Sequence, residues 1–165
     1  MNYTIKVNKV RATSEESSVK GFATVVFGNS FKVSNIAILE NRGKEQLFVS
    51  MPRFRSNEVD ERGMPIFKDI CHPITAEFRE ELYTAILNAY EQLIQRNFSE
   101  REKADKVAEY APPEFTVSVT PYEREGSNLK GFARIYLEDC FVINNVNILQ
   151  GKEKNFIAMP SFKTN

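Results

Sequence analysis

Tryptophan is absent from this chain, histidine occurs once and cysteine only twice. Cys71 and Cys140 stand in no C-x-x-C pair and beside no ligand cluster, which excludes a disulfide framework and a zinc site. They read as two reduced, mostly buried thiols of a cytoplasmic protein. No apolar run approaches the roughly 18 residues of a membrane span, and no apolar N-terminal core precedes a cleavage-like site. Neither an export signal nor a membrane partner is therefore expected. Lys and Arg balance Asp and Glu at 22 each, so the net charge of zero argues against a wholesale polyanion binder. The chain also lacks a Gly-rich phosphate loop, supported carboxylate pairs and metal-ligand spacing. Glu58, Asp60 and Glu61 do not follow a calcium-loop pattern and read as solvated. His72 lies beside Asp69 and Cys71, but adjacent residues in an extended segment point to opposite faces. The ring reads as a locally hydrogen-bonded part of a strand-to-helix junction. No enzyme, metal or cofactor is expected.

What the chain has is aromatic material for a core, thirteen Phe and six Tyr, and a charge split. Residues 1–57 carry nine Lys/Arg against four Asp/Glu; residues 58–113 carry seven against twelve. A basic segment thus precedes an acidic one.

The chain also repeats itself. Lys20-Gly21-Phe22-Ala23 returns as Lys130-Gly131-Phe132-Ala133. Phe31, Val33, Asn35, Ile36, Ile38 and Leu39 return as Phe141, Ile143, Asn145, Val146, Ile148 and Leu149. Tyr3-Thr4-Ile5-x-Val7 returns as Phe115-Thr116-Val117-x-Val119. The spacing changes only near 13–18 and 40–45, where loops belong.

Each copy reads as a β-meander. In copy one the strands are Thr4 to Val10, Lys20 to Phe27, Phe31 to Leu39 and Gln46 to Ser50, with Gly28-Asn29 suited to a hairpin turn. Simple alternation puts Phe31, Val33, Asn35 and Ala37 on one face, and Ile36 and Ile38 on the other. Gly21 and Gly131 suggest bulges or close backbone approaches. After copy one come a polar loop, Asn57 to Pro65, and an extended piece, Ile66 to Ile70. Thr75 is placed to cap a helix whose apolar stripe is Phe78, Leu82, Ile86, Tyr90 and Leu93. Ser99-x-x-Glu102 marks a second, weaker helix to about Tyr110, and Ala111-Pro112-Pro113 breaks it. The expected fold class is α+β. Two antiparallel meanders form a pseudo-dimer, with one or two helices between them packed on the sheet. Copy two is expected to join the sheet of copy one or to share its helix. The divisions are 1–94 for copy one with its helix, 95–113 for a helical and Pro-rich linker, and 114–165 for copy two. A homodimer is the alternative route to a complete core.

The candidate site is the duplicated Met-Pro step. Met51-Pro52-Arg53-Phe54-Arg55 returns as Met159-Pro160-Ser161-Phe162-Lys163. Proline donates no N–H and keeps the residue before it extended, so each step should end a strand and launch a cationic loop. Arg53, Arg55 and Lys163 are candidates for phosphate contact, since a guanidinium fork can hold two oxygens. Phe54 and Phe162 could stack on exposed bases, while alternation turns Phe54 away from the two arginines. Lys68 and Arg79 are weaker additions.

These residues carry a resemblance. Phe48-Val49-x-Met51-Pro52, then Phe67-Lys68-Asp69-Ile70-x-His72-Pro73-Ile74, then Leu87-Asn88-x-Tyr90 resemble the SpoVG family, the stage V sporulation or septation proteins, over about residues 1–94. Copy two matches through its Met-Pro step. The resemblance implies a β-sheet protein with packed helices. It also implies DNA- and RNA-binding regulation tied to septation, sporulation and virulence genes. The partner expected on this basis is DNA or RNA. A protein–protein module of the same fold is the alternative.

Overall fold

In the computed structural model, which describes residues 1–10, 17–41, 43–96 and 110–161, each copy folds as a four-stranded antiparallel meander. Copy one supplies β1 (Tyr3–Lys9), β2 (Val19–Phe27), β3 (Phe31–Asn41) and β4 (Gln46–Ser50), paired in chain order. Three shorter strands follow, β5 (Arg53–Val59), β6 (Pro65–Asp69) and β7 (Cys71–Pro73), and then helix α1 (Ala76–Arg96). Copy two supplies β8 (Phe115–Pro121), β9 (Leu129–Leu137), β10 (Phe141–Gln150) and β11 (Asn155–Ala158). The α+β class and the two meanders match the expectation. Helix α1 is the only helix among the described residues, and none there is long and apolar enough to cross a membrane. The second helical pattern, from Ser99 onward, falls outside the described residues.

The duplication extends to backbone detail. Gly28 and Asn29 both take positive φ, 50° and 55°, to turn β2 into β3. Glu138 and Asp139 repeat that turn at 44° and 52° without a glycine. Asn35 and Asn145, at 60° and 56°, sit where the pairing register slips in β3 and β10. These are β-bulges, and asparagine tolerates the left-handed conformation they need. The bulge corrects the simple alternation read along β3. The extra residue brings Ile36 and Ile38 to the face of Val33, and all three are buried.

Contacts divide the chain into two compact units that do not follow the sequence copies. Unit 1 combines Met1–Pro52 with Ala76–Pro113. Its core joins Ala23, Val25 and Phe27 of β2 to Val33, Ile36 and Ile38 of β3, and to Phe78, Leu82, Ile86 and Tyr90 of α1. Those four helical residues recur every fourth position and form one stripe. Each fully buried side chain of this size contributes about 1.5–3 kcal/mol. The helix packs against the outer strands β1 and β4. Tyr3 of β1 meets Phe78 edge-on, with ring centroids 6.0 Å apart, and its hydroxyl donates to Glu81 Oε1 at 2.9 Å. Burial first, and that hydrogen bond second, push the Tyr3 phenol up from its ordinary value. Gly21 makes room for the helix. A Cβ there would stand 2.8 Å from the Asn8 carbonyl oxygen and 2.9 Å from the Tyr90 ring, and Tyr90 donates its hydroxyl to the Lys20 carbonyl at 3.2 Å.

Unit 2 combines Arg53–Thr75 with Glu114–Asn165. Copy two does not extend the sheet of copy one. It builds its own, and β7 joins it by pairing antiparallel with β10, Cys71 opposite Ile143 and Pro73 opposite Phe141. Bonds from Ile74 N–H to the Cys140 carbonyl and from Asn144 N–H to the Ile70 carbonyl, 2.8 and 2.7 Å, close both ends of this pairing. Ile70, Cys71 and Pro73 are buried, as are Phe141, Val142, Ile143 and Val146. A short strand with buried apolar neighbours is thus held by backbone bonds at both ends.

Candidate nucleic-acid interface

Met51-Pro52 does end β4, but no loop follows. Arg53 starts β5, which turns back into β6 to make a separate two-stranded hairpin in unit 2. The segment Asn57 to Pro65 is correspondingly shorter as a loop than its polarity suggests. Its tip is organised by Asp60, whose carboxylate accepts the N–H groups of Arg62 and Met64 at 2.9 and 2.8 Å. The Asp60 N–H donates to the Met64 carbonyl at 2.8 Å, and Gly63 supplies the positive φ of 75°. Lower on the hairpin, the Ser56 hydroxyl donates to the Ile66 carbonyl at 2.9 Å. Glu58, Asp60 and Glu61 are exposed as expected, and Asp60 in addition closes the turn.

Cross-strand register sorts the candidate residues. Arg53 faces Asp69, Phe54 faces Lys68 and Arg55 faces Phe67. Directly opposed residues of an antiparallel pair share a face, and successive residues alternate. One face thus carries Arg53, Arg55, Phe67 and Asp69, while Phe54 and Lys68 lie on the other. Arg53 and Arg55 are exposed and Phe54 is half-buried. Phe67 is 55% exposed, directly opposite Arg55 and diagonal to Arg53. Lys68 pairs with Glu58 at 2.5 Å, so its charge is locally answered. Arg79 is exposed on α1 and belongs to the other unit. Phe162 and Lys163 lie outside the described residues.

Sequence reasoning missed Phe67. Its place in the matched Phe67-Lys68-Asp69 string was visible, but only register tells which strand faces which. The face of Arg53, Arg55 and Phe67 offers two cations able to hold phosphate oxygens on one strand and an aromatic plane able to stack on a base on the other. Asp69 on the same face tempers the field beside Arg53.

His72 departs from expectation. Its Nδ1 is buried without a hydrogen-bond partner, and the nearest Asp69 carboxylate oxygen is 3.9 Å away, too far for one. The backbone of His72 is committed to pairing with Val142, which leaves the ring no local turn to bond. Burial, reinforced by the Asp69 charge, pushes the neighbouring Cys71 thiol from 9.0 up to about 12, so it is a neutral and unreactive group at physiological pH. Among the described residues no cluster of His, Cys, Asp and Glu is arranged to hold a metal.

Comparison with known proteins agrees with the duplication. The SpoVG family model matches residues 2–92 and again 114–165. The chain is 37% identical over 92 residues to a protein of Clostridium beijerinckii that bears the name septation protein SpoVG, covering 92% of that protein and 56% of this chain. A Heliobacterium modesticaldum protein of the same name is 36% identical over 91 residues, or 93% of its length and 55% of this chain. No solved structure matches. With a meander in each copy and the family pattern matched in both, the chain belongs to the SpoVG family, in tandem form.

Proposed function

We propose that this chain is a nucleic-acid-binding regulatory protein of the SpoVG type, acting on DNA or RNA in septation, the process for which its relatives are named, or in sporulation. The observation that carries the reading is the hairpin face of Arg53, Arg55 and Phe67. Two exposed cations, Arg55 opposite and Arg53 diagonal, share a face with an exposed aromatic ring on a strand pair whose tip and edge are fixed by hydrogen bonds. Arginines engage phosphates without regard to sequence, and an aromatic plane takes any base. With zero net charge, attraction comes from this local face rather than from the whole molecule. Phe67 can meet a base only where the base is unstacked, so single strands should bind more tightly than duplexes.

The test is fluorescence anisotropy with labelled single-stranded RNA, single-stranded DNA and duplex DNA across a salt series. Binding that weakens steeply with salt, with a slope reduced by about one in Arg55→Ala, supports the reading. No retention of any of the three at low salt would leave the protein–protein module as the better account of the fold.

A further inference from the structure

The sheet of copy two has a second face, opposite its buried one, and we infer that this face binds single-stranded nucleic acid as a site separate from the β5–β6 hairpin. Strand β9 alternates strictly. Gly131, Ala133 and Leu137 are buried on one side, while Lys130, Phe132 and Arg134 are exposed on the other, with Tyr136 half-buried after them. A cation, a ring, a cation and a ring thus follow one another at steps of about 6–7 Å. The run Lys130-Gly131-Phe132-Ala133 has the order, basic, glycine, aromatic, small, by which RNA-recognition motifs show a cation and a ring side by side on a strand. Register adds neighbours from the other strands to the same face. Ser118 opposes Arg134 and Thr120 opposes Phe132 from β8; Asn147 opposes Phe132 from β10, and Phe156 of β11 opposes Leu149, two residues further along. Phe132 and Phe156 are 36% and 49% exposed. The Tyr122 ring meets Phe132 edge-on, with centroids 5.6 Å apart, and so steadies the plane that a base would meet.

The chemistry of the face names its occupant. Strands β8 to β11 contain no Asp or Glu. Among the described residues neither Lys130 nor Arg134 has an ion-pair partner. Free cations of one sign suit phosphates, and exposed rings suit bases that are not already stacked in a duplex. Copy one supplies the contrast. Phe22 and Phe48, 38% and 44% exposed, hold the places of Phe132 and Phe156. Lys20, however, pairs with Glu40 at 2.6 Å, where copy two has Gln150. Thr24 and Val26 stand in the places of Arg134 and Tyr136, and Val10 in that of Tyr122. Lys6 and Lys32 give the face of copy one cations of its own, so the added rings of copy two, rather than charge, set its preference for single strands.

The partner class is that of the hairpin reading, but the residues are not, and the experiment separates the two. Anisotropy and ultraviolet cross-linking with a labelled oligouridylate compare the full chain with three double variants: Phe132→Leu with Phe156→Leu, Phe22→Leu with Phe48→Leu, and Arg55→Ala with Phe67→Ala. Leucine keeps apolar bulk on the strand and removes the stacking plane. The copy-two pair should weaken binding at least fivefold and the copy-one pair less than twofold, with cross-links mapping to β9 or β11. The same ratio should hold when the hairpin substitutions are already present. Should the copy-two pair lose its circular dichroism signal, the exposed Arg134→Gln takes its place, and the salt slope should fall by about one. Unchanged affinity in the copy-two variant, an equal loss in the copy-one variant, or cross-links confined to the hairpin would overturn the inference; the hairpin reading would survive wherever Arg55→Ala with Phe67→Ala still weakens binding. Loss confined to the copy-two variant would support this face and overturn the hairpin reading alone. Failure to bind the oligouridylate at low salt would overturn both.

Discussion

Met51 and Met159 occupy the same repeat position with the same side chain, and they make a matched test of what covers each copy. Met51 is 5% exposed and Met159 is 43% exposed. Burying a methionine side chain fully is worth about 1.5–3 kcal/mol, and deleting one from a closed core adds a cavity term, for a total of about 2–5 kcal/mol. Met51→Ala should therefore cost unit 1 about 2–4 kcal/mol. Met159 has little more than half of its surface to lose, and the space it leaves opens to water rather than closing as a void. Met159→Ala should cost unit 2 about 0.5–1 kcal/mol. Urea unfolding by circular dichroism gives the overall loss, and native-state hydrogen exchange of β2 and β9 amides reads the two units separately. Equal losses at the two positions would refute the reasoning, because they would mean that the face of copy two is as covered as that of copy one.

Four further outcomes follow. Phe67→Ala should weaken single-strand binding about 5-fold to 150-fold, in line with about 1–3 kcal/mol per stacked base, and Phe54→Ala should weaken it far less; anisotropy titration compares them. Gly28→Ala should destabilise unit 1 by more than about 1 kcal/mol, since φ there is 50° and a Cβ would collide with the Ala111 carbonyl oxygen; thermal melting measures it. Glu138→Gly, which gives copy two the residue of copy one at a φ of 44°, should instead stabilise by up to about 1 kcal/mol in the same assay. The raised Cys71 pKa favours the neutral thiol in the folded state. Its contribution to stability is complete below pH 9 and is lost as pH rises from 9.0 toward about 12, so Cys71→Ser should flatten the alkaline limb of a stability profile.

The duplication, the strands and the helix stripe were legible because each rests on local pattern. Tyr3, Ile5 and Val7 alternate, Phe78 to Tyr90 recur at helical spacing, and Gly21 and Gly131 announce close approaches that the sheets do make. The bulges at Asn35 and Asn145 were not legible. An asparagine inside an apolar strand pattern looks like any other polar position until its φ is known. The candidate site was half visible: Arg53 and Arg55 stood out beside the Met-Pro step, while Phe67 joined them only through register and Lys68 left them for the opposite face.

Sequence alone determined the strands and turns of each meander and the apolar stripe of the helix, because side-chain periodicity and turn chemistry act over a few neighbours. Tertiary structure decided that β7 joins the sheet of copy two, that α1 covers copy one, and that the outer strands of copy two keep apolar side chains exposed. The reason is physical: any of several sheet edges and faces would satisfy a short strand and an amphipathic helix. The choice among them depends on backbone bonds and burial between residues far apart in the chain.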